Sequence, residues 1–228
     1  MIEFLFLDLD DTILDFHMQE KIAIRKTLSG AGVEPTAEVC ALYSEINLRH
    51  WAMLERGEIT REKLTWHRFA ELFAQLGAVA DPEETAEKYM DYLSEGHYYL
   101  PGAEEAVKRL GQKYKLYMAS NGTGRVQESR IASAGLAPYF EKIFISQEIG
   151  ANKPDKRYFD ACFAAIPGFC RERAMIVGDS LSSDIRGGKN AGILTCWVNP
   201  TGKTAPAENR PDHEIKSITE LEMLLETL

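Results

Sequence analysis

Three carboxylates stand within four positions near the start of the chain, where the stretch FLFLDLDDT places Asp8, Asp10 and Asp11 after an apolar run. Like charges this close repel one another, and a strand that only had to end could do so with Gly, Asn or a single Asp. An extended backbone points alternate side chains the same way, so Asp8 and Asp10 share a direction that Asp11 does not. We therefore expect chemistry from Asp8 and Asp10, and a structural or solvated role for Asp11.

Other polar residues follow later apolar runs in the same manner. Ligands of open α/β sheets bind outside the carboxyl ends of the strands, so residues that end separate strands can meet in one pocket. Four carboxylates, an ammonium and a hydroxyl at one place need a cation, and such oxygen ligands suit Mg²⁺, which also accepts phosphate oxygens. These residues are Ser120, Asn121 and Gly122 after the second run, Lys153 after the third, and Asp179 and Asp184 after the fourth.

Short continuous apolar runs are typical of strands that are buried on both faces. Helix-like segments lie between the last four of these runs, and strand alternating with helix predicts a parallel α/β sheet. The predicted strands are 2–8, 114–120, 141–146, 173–179 and 193–199, and the predicted helices between them are 102–111, 125–135, 155–166 and 184–191.

The long gap between the first two strands has helical patterns only. Four helices joined by short loops most easily form an antiparallel bundle. We therefore predict an α/β fold with a Rossmann-like parallel sheet core, 1–14 and 98–228, and a helical insertion, 15–97. Its helices are predicted from Phe16 to about Gly30, from Pro35 to Gly57, from the N-cap Thr60 to Gly77, and from the N-cap Asp81 to about Gly96.

Composition limits the classes of function. The chain has 228 residues, a formal charge of -9 and no cluster of Lys and Arg, which argues against a nucleic-acid polymer as partner. Its beginning has no pattern of a secretory signal, and no stretch is long and apolar enough to cross a membrane. The four scattered cysteines are expected to be reduced thiols. We expect a cytoplasmic protein without a membrane partner.

Four motifs in order, DxDxT, Ser-Asn-Gly, Lys-Pro and GDxxxxD, resemble the haloacid dehalogenase superfamily of phosphohydrolases. The resemblance implies that Asp8 is the nucleophile, forming an aspartyl-phosphate, and that Asp10 is the general acid and base. It also implies a helical cap of type I and a small phosphomonoester substrate. Asp10 favours an oxygen leaving group, since the dehalogenases lack an acid at this position.

The same resemblance assigns roles to the remaining motif residues. Ser120 and Lys153 complete the catalytic set, and Lys153 is expected to neutralise both Asp8 and the phosphoryl group. Asp184 is expected either to bind Mg²⁺ directly or to hold Lys153 and a metal-bound water. The implied metal ligands are Asp8, Asp10 through its backbone carbonyl, Asp179 and Asp184, and the implied phosphate-binding residues are Thr12, which also positions Asp10, Asn121 and Gly122.

A finer resemblance is to the pyrimidine 5'-nucleotidase branch, through GEIT, SNGTGRVQESRIASAGLAPYF, ISQEIGANKPDKRYFD and GDSLSSDIRGGKNAG. It implies pyrimidine nucleoside monophosphates as substrates, with specificity from the insertion. The alternatives are a sugar-phosphate or N-acylneuraminate-9-phosphate phosphatase, a phosphomutase, and a non-catalytic phosphate-binding module. A monomer or a homodimer fits equally. The candidate specificity residues are Asn47, Trp51, His67 and Arg68.

Overall fold

The computed structural model describes residues 1–228 as two compact units. The sheet unit joins Met1–Phe16 to His97–Leu228, and the helical unit is His17–Gly96. The boundaries expected from the sequence, after residue 14 and before residue 98, lie within two residues of this division. None of the helices has both the length and the apolar character that a membrane span requires.

The sheet unit contains a six-stranded parallel sheet with the order β3-β2-β1-β4-β5-β6. All five predicted strands and the parallel α/β class are confirmed. The sixth strand was not predicted, because its three residues, HEI, form no apolar run. The strands are β1 Phe4–Leu7, β2 Lys115–Ser120, β3 Lys142–Ile145, β4 Ala174–Gly178, β5 Leu194–Val198 and β6 His213–Ile215.

Strand β1 lies in the interior of the sheet and packs on both faces. Leu5 and Leu7 belong to one buried apolar cluster, whereas Phe4 and Phe6 belong to a second cluster. Successive side chains of a strand point to opposite faces, so a strand that is covered on both sides needs apolar residues at every position. This explains the continuous run FLFL that precedes the acidic residues.

Four helices form the insertion, as predicted: α1 Phe16–Gly30, α2 Ala37–Glu55, α3 Arg61–Leu76 and α4 Pro82–Leu93. The predicted N-caps of α3 and α4 are confirmed, because Thr60 Oγ1 accepts from Lys63 N at 3.3 Å and Asp81 Oδ1 accepts from Glu83 N at 2.8 Å. Helix α2 starts later than predicted. Thr36 is its N-cap and accepts from Val39 N, so the helix begins at Ala37 and not at Pro35.

The other helices belong to the sheet unit. The predicted helix at 184–191 is confirmed over Arg186–Ala191, which is α9, and a wide π-helical turn, Leu181–Ile185, precedes it. Two short helices, Ser146–Ile149 and Leu221–Leu225, were not predicted. The helices are α5 Ala103–Lys113, α6 Gly124–Ser133, α7 Ser146–Ile149, α8 Lys156–Ala164, α9 Arg186–Ala191 and α10 Leu221–Leu225.

The chain segments on either side of the insertion pair with each other inside the sheet unit. Asp15 N donates to Tyr98 O at 2.8 Å, and Leu100 N donates to Ile13 O at 3.0 Å. Next to this pairing, Asp11 Oδ1 accepts a hydrogen bond from Phe16 N, the first residue of α1, at 3.0 Å. Asp11 therefore has a structural role, as expected.

Candidate active site

Three neighbouring strands bring their carboxyl ends to one edge of the sheet. Leu7 of β1 is aligned with Met118 of β2 on one side and with Val177 of β4 on the other. Asp8 continues this register, since its backbone N–H donates to Val177 O at 2.9 Å. The three strands therefore end at the same height in the sheet. The residues that follow them, although distant in sequence, lie close together.

Lys153 is the centre of a buried ionic cluster at this edge. Its Nζ lies 2.6 Å from Asp8 Oδ1, 2.6 Å from Asp184 Oδ1 and 2.5 Å from the carbonyl oxygen of Ala119. The lysine is only 1% exposed, and these three acceptors use all three of its protons. Although burial disfavours the charge, Asp184 and Asp8 raise the pKa of Lys153 above its ordinary value. Lys153 is therefore the counter-charge of Asp8.

Asn121 holds the backbone of Lys153. Its side-chain Nδ2 donates to Lys153 O, and its Oδ1 accepts from Lys153 N, both at 2.9 Å. Both ends of the amide are thus used to fix the loop that carries the lysine. The structure assigns Asn121 this positioning role, and its expected contact with phosphate stays a prediction.

Asp8, Asp179 and Asp184 gather their carboxylate oxygens within 4.8 Å of one another. Burial raises the pKa of Asp8 to about 8, Lys153 opposes this shift, and the charge of Asp184 adds to it. Burial and the charges of Asp8 and Asp184 raise the pKa of Asp179 to about 9. A divalent cation would offset this repulsion, and three carboxylate oxygens are ligands that Mg²⁺ prefers. The residues present therefore fit the expected metal.

Two hydrogen bonds fix the two aspartates that follow β4. Trp197 Nε1 donates to the carbonyl oxygen of Asp179 at 2.7 Å, and Ser180 N donates to Asp184 Oδ2 at 3.1 Å. The π-helical turn, a local widening that is frequent at functional sites, carries Asp184 back toward the strand end. Because one oxygen of Asp184 meets Lys153, the geometry supports the alternative in which Asp184 holds the lysine.

Gly178 makes the close approach of Asp184 feasible. A Cβ atom at this position would lie 2.2 Å from Asp184 Oδ2 and 2.3 Å from its Cγ. We expect Gly178→Ala to displace Asp184 from Lys153 and to lower kcat by ~10-fold or more, since a small misplacement of catalytic groups is costly. Steady-state kinetics of the variant would measure this effect.

Gly192→Ala, at a left-handed glycine where an added Cβ would meet only open space, is a suitable control for glycine replacement. It should cost some stability and leave kcat within about twofold of the wild type, because it moves no active-site group. Equal kcat losses in the two variants would contradict the role given to Gly178.

A second polar network surrounds Asp10. Gln127 Nε2 lies 2.7 Å from Asp10 Oδ2 and 2.8 Å from Ser120 Oγ. Arg130 Nη1 forms an ion pair with Asp10 Oδ1 and donates to Gln127 Oε1 at 2.9 Å. Ser120 Oγ also accepts a hydrogen bond from Gly122 N at 3.0 Å. The structure thus joins Asp10 and Ser120, which were predicted, through two residues that were not.

Thr12 is completely buried, and its hydroxyl has no hydrogen-bond partner within the protein. Asp10 is instead oriented by Gln127 and Arg130 of α6. The expected positioning of Asp10 by Thr12 and the contact of Thr12 with phosphate stay predictions, as does the contact of the Gly122 amide with phosphate.

Comparison with protein families agrees with this arrangement. The model of the haloacid dehalogenase-like hydrolases matches residues 5–198, which include every motif residue described above. The chain belongs to the haloacid dehalogenase-like hydrolase family. The hydrolase is 39% identical to YfnB of Bacillus subtilis (strain 168), named as a HAD-hydrolase, over 97% of this chain and 94% of YfnB.

Two further relatives have names that state an activity. Pyrimidine 5'-nucleotidase PynA of Streptococcus pneumoniae is 36% identical over 96% of this hydrolase and 93% of PynA. Pyrimidine 5'-nucleotidase YjjG of Escherichia coli is 31% identical over 98% of this hydrolase and 97% of YjjG. A crystal structure of YfnB, reported as bound to magnesium and as revealing interdomain movement, has a TM-score of 0.94, 38% identity and 98% coverage of both chains.

The four candidate specificity residues of the hydrolase fall into two groups. Asn47 and Arg68 are buried within the helical unit and bond to each other, since Arg68 Nη1 donates to Asn47 Oδ1 at 2.6 Å. His67 is exposed, with Nδ1 3.3 Å from Nε2 of the buried His50, and Trp51 is half-buried. Their contact with a substrate stays a prediction.

Gln127 and Arg130 were missed, although the sequence carries a signal for them. Helix α6 buries Val126 and Ile131, and the two polar residues lie on the same buried face. Polar residues on an apolar helix face need partners, and acidic strand ends are suitable partners. Helical periodicity in the residues after the Ser-Asn-Gly motif would therefore have indicated them.

Proposed function

We propose that this hydrolase is a Mg²⁺-dependent phosphomonoesterase that acts through an aspartyl-phosphate on Asp8, with pyrimidine nucleoside 5'-monophosphates as substrates. The observation that carries the proposal is the Lys153 ammonium between Asp8 and Asp184, with the Asp179 carboxylate beside them. The names of PynA and YjjG, which align with almost the whole chain, support the substrate class.

The metal would be held by Asp8 and Asp179, with the backbone carbonyl of Asp10 as a further proposed ligand, and Asp184 would hold Lys153 beside it. When bound, Mg²⁺ supplies positive charge that lets an anionic ester approach an ionised carboxylate. Lys153 adds a second positive charge to the Asp8 side chain. Its three protons are already donated, so it acts on a phosphoryl group through its charge unless one of these bonds is exchanged.

The proposed reaction has two displacements. In the first, a carboxylate oxygen of Asp8 attacks phosphorus, the bond from phosphorus to the ester oxygen breaks, and Asp10 gives its proton to the departing alcohol. In the second, water attacks phosphorus, Asp10 takes a proton from that water, and the bond between phosphorus and Asp8 breaks. One water is consumed, inorganic phosphate is released, and both aspartates return to their starting states.

The helical unit is proposed as the cap of the enzyme and as the source of its nucleoside specificity. Trp51 and His67 are the candidate specificity residues with solvent-accessible side chains. An aromatic ring such as that of Trp51 could stack on a pyrimidine base, as aromatic side chains stack on the bases of single-stranded nucleic acids.

A panel of phosphomonoesters tests the proposal. We expect kcat/KM for uridine, thymidine and cytidine 5'-monophosphates to exceed the values for hexose 6-phosphates and N-acylneuraminate 9-phosphate by ~10-fold or more. EDTA should remove the activity, and Mg²⁺ should restore it. Faster release of phosphate from the sugar esters would contradict the substrate class. A phosphomutase would interconvert sugar phosphates in a reaction that needs a bisphosphate and releases little phosphate.

A further inference from the structure

Helix α6 presents two polar side chains, Gln127 and Arg130, to the strand ends instead of to solvent. Both are at most 1% exposed, and they lie three residues apart, which places them on one face of the helix. Gly122 leaves room for Gln127, since a Cβ there would lie 2.3 Å from its Nε2. Burying an amide or a guanidinium costs free energy unless the group is hydrogen-bonded or paired, so the two side chains need polar partners here.

The hydrogen bonds of Gln127 fix the orientation of its amide. Nε2 has two protons, and they meet Asp10 Oδ2 and Ser120 Oγ, while Oε1 accepts from Arg130 Nη1. Turning the amide by half a rotation would place its oxygen against a carboxylate oxygen and its NH₂ group against a guanidinium. The amide therefore has one acceptable orientation, and it ties Asp10 to Ser120.

This orientation also determines what the Ser120 hydroxyl can do. A serine hydroxyl offers one proton and two acceptor positions. Gln127 Nε2 and Gly122 N occupy the two acceptor positions, at 2.8 and 3.0 Å. The hydroxyl proton remains for an acceptor such as a phosphoryl oxygen, so Gln127 makes Ser120 a hydrogen-bond donor toward an anion.

Arg130 is the third member of the network around Asp10. It is fully buried, it pairs with Asp10 Oδ1, and its guanidinium lies 5.5 Å from the centre of the Phe16 ring. Its Nε and Nη2 have no hydrogen-bond partner within the protein. A buried guanidinium that satisfies only part of its donors costs stability, so a purely structural role explains it poorly.

We propose that Gln127 and Arg130 are positioning residues, which hold the Asp10 carboxyl and the Ser120 hydroxyl in the arrangement needed for phosphoryl transfer. The inference rests on the function proposed above. Gln127 acts on both residues, whereas Arg130 acts on Asp10 directly and on Ser120 only through Gln127.

Esters with different leaving groups separate positioning from mere folding. A nucleoside or alkyl alcohol needs a proton from Asp10 as it departs, whereas 2,4-dinitrophenolate leaves without one. The ratio kcat/KM reports the first displacement for each ester. For Arg130→Met we expect a loss of ~10²-fold with uridine 5'-monophosphate and of less than about fivefold with 2,4-dinitrophenyl phosphate. Arg130→Lys, which keeps the charge, should recover part of the loss.

Gln127→Met should show the same dependence on the leaving group and, in addition, weaker binding of inorganic phosphate. Calorimetric titration with phosphate in the presence of Mg²⁺ should give a Kd increased by ~10-fold, because Ser120 is no longer fixed as a donor to the anion. Glu128→Met, an exposed neighbour on the same helix, should change neither quantity by more than about twofold.

Two results would overturn the inference: unchanged kinetics in both variants, or equal losses for all esters together with a lowered Tm, which would indicate a structural role only. Failure of the proposed function has a different signature, since wild-type protein would then hydrolyse no ester in Mg²⁺. The phosphate titration would still decide whether Gln127 orients Ser120.

Discussion

Asp8→Asn should reduce kcat for every phosphomonoester by at least about 10⁴-fold, the size of effect that follows removal of a nucleophile. The amide keeps the shape of the carboxyl but cannot attack phosphorus. Release of phosphate from uridine 5'-monophosphate and from p-nitrophenyl phosphate measures the loss. Retention of more than about 1% of the wild-type rate would show that another group is the nucleophile.

The same variant should remain folded. Burial raises the pKa of Asp8 to about 8, so in protein without metal a negative charge there lowers stability as the pH rises from about 4 toward 8. The neutral Asn removes this cost, its Oδ1 can still accept from Lys153, and Asp184 keeps its pairing with that lysine, so Tm in EDTA near neutral pH should stay close to that of the wild type. Asp11→Asn is the matched control, since Asn can still accept from Phe16 N and activity should stay within about threefold.

Arg68→Met should lower the free energy of unfolding by about 3–5 kcal/mol, the cost of leaving a buried charge without its partner. Arg68 bonds to Asn47, and Asn47 Nδ2 in turn donates to the buried Glu20 Oε1 at 2.7 Å. The guanidinium also lies 4.9 Å from the centre of the Tyr89 ring. Burial already raises the pKa of Glu20, and the charge of Arg68 opposes this shift, so losing the arginine removes the positive charge that most favours the ionised form of this buried carboxyl. Urea unfolding would measure the change.

Two controls distinguish this stability role from contact with substrate. Arg49→Met removes an exposed arginine that pairs with Glu71, and it should cost less than about 1 kcal/mol. The double variant Glu20→Gln, Arg68→Met should lose less than the sum of the single variants, because they share one network. Normal unfolding of Arg68→Met with a raised KM for nucleotides would instead indicate that Arg68 binds substrate.

The sequence was most informative where one pattern served both packing and chemistry. Strand β1 is buried on both faces, so its run is continuously apolar, and the acidic residues after it stand out. Strands β2 and β4 likewise contain apolar runs with a polar residue at the end. Strand β2 ends in Ser120, and Asp179 directly follows β4. Because parallel strands align their carboxyl ends, the meeting of Asp8, Lys153, Asp179 and Asp184 could be anticipated from spacing alone.

Other features could not be read from the sequence, for physical reasons. Strand β6 forms because an edge of the sheet is available, and its own composition does not indicate a strand. Asn47 and Arg68 lie at helical spacings that suit either a ligand or an internal network, and only three-dimensional packing shows that they bond to each other. The direction in which Asn121 and Gln127 use their amides likewise depends on tertiary partners.

The pairing of residues 13–15 with residues 98–100 brings the two ends of the insertion side by side. Hydrogen bonds thus close the sheet unit at that point, and the intervening stretch is topologically a loop. Since loop closure entropy grows only with the logarithm of length, this junction can accept modules of very different size provided that their ends are adjacent. Grafting a foreign helical module there would test the proposal that the insertion sets the substrate range, because the proposed catalytic residues all lie in the sheet unit.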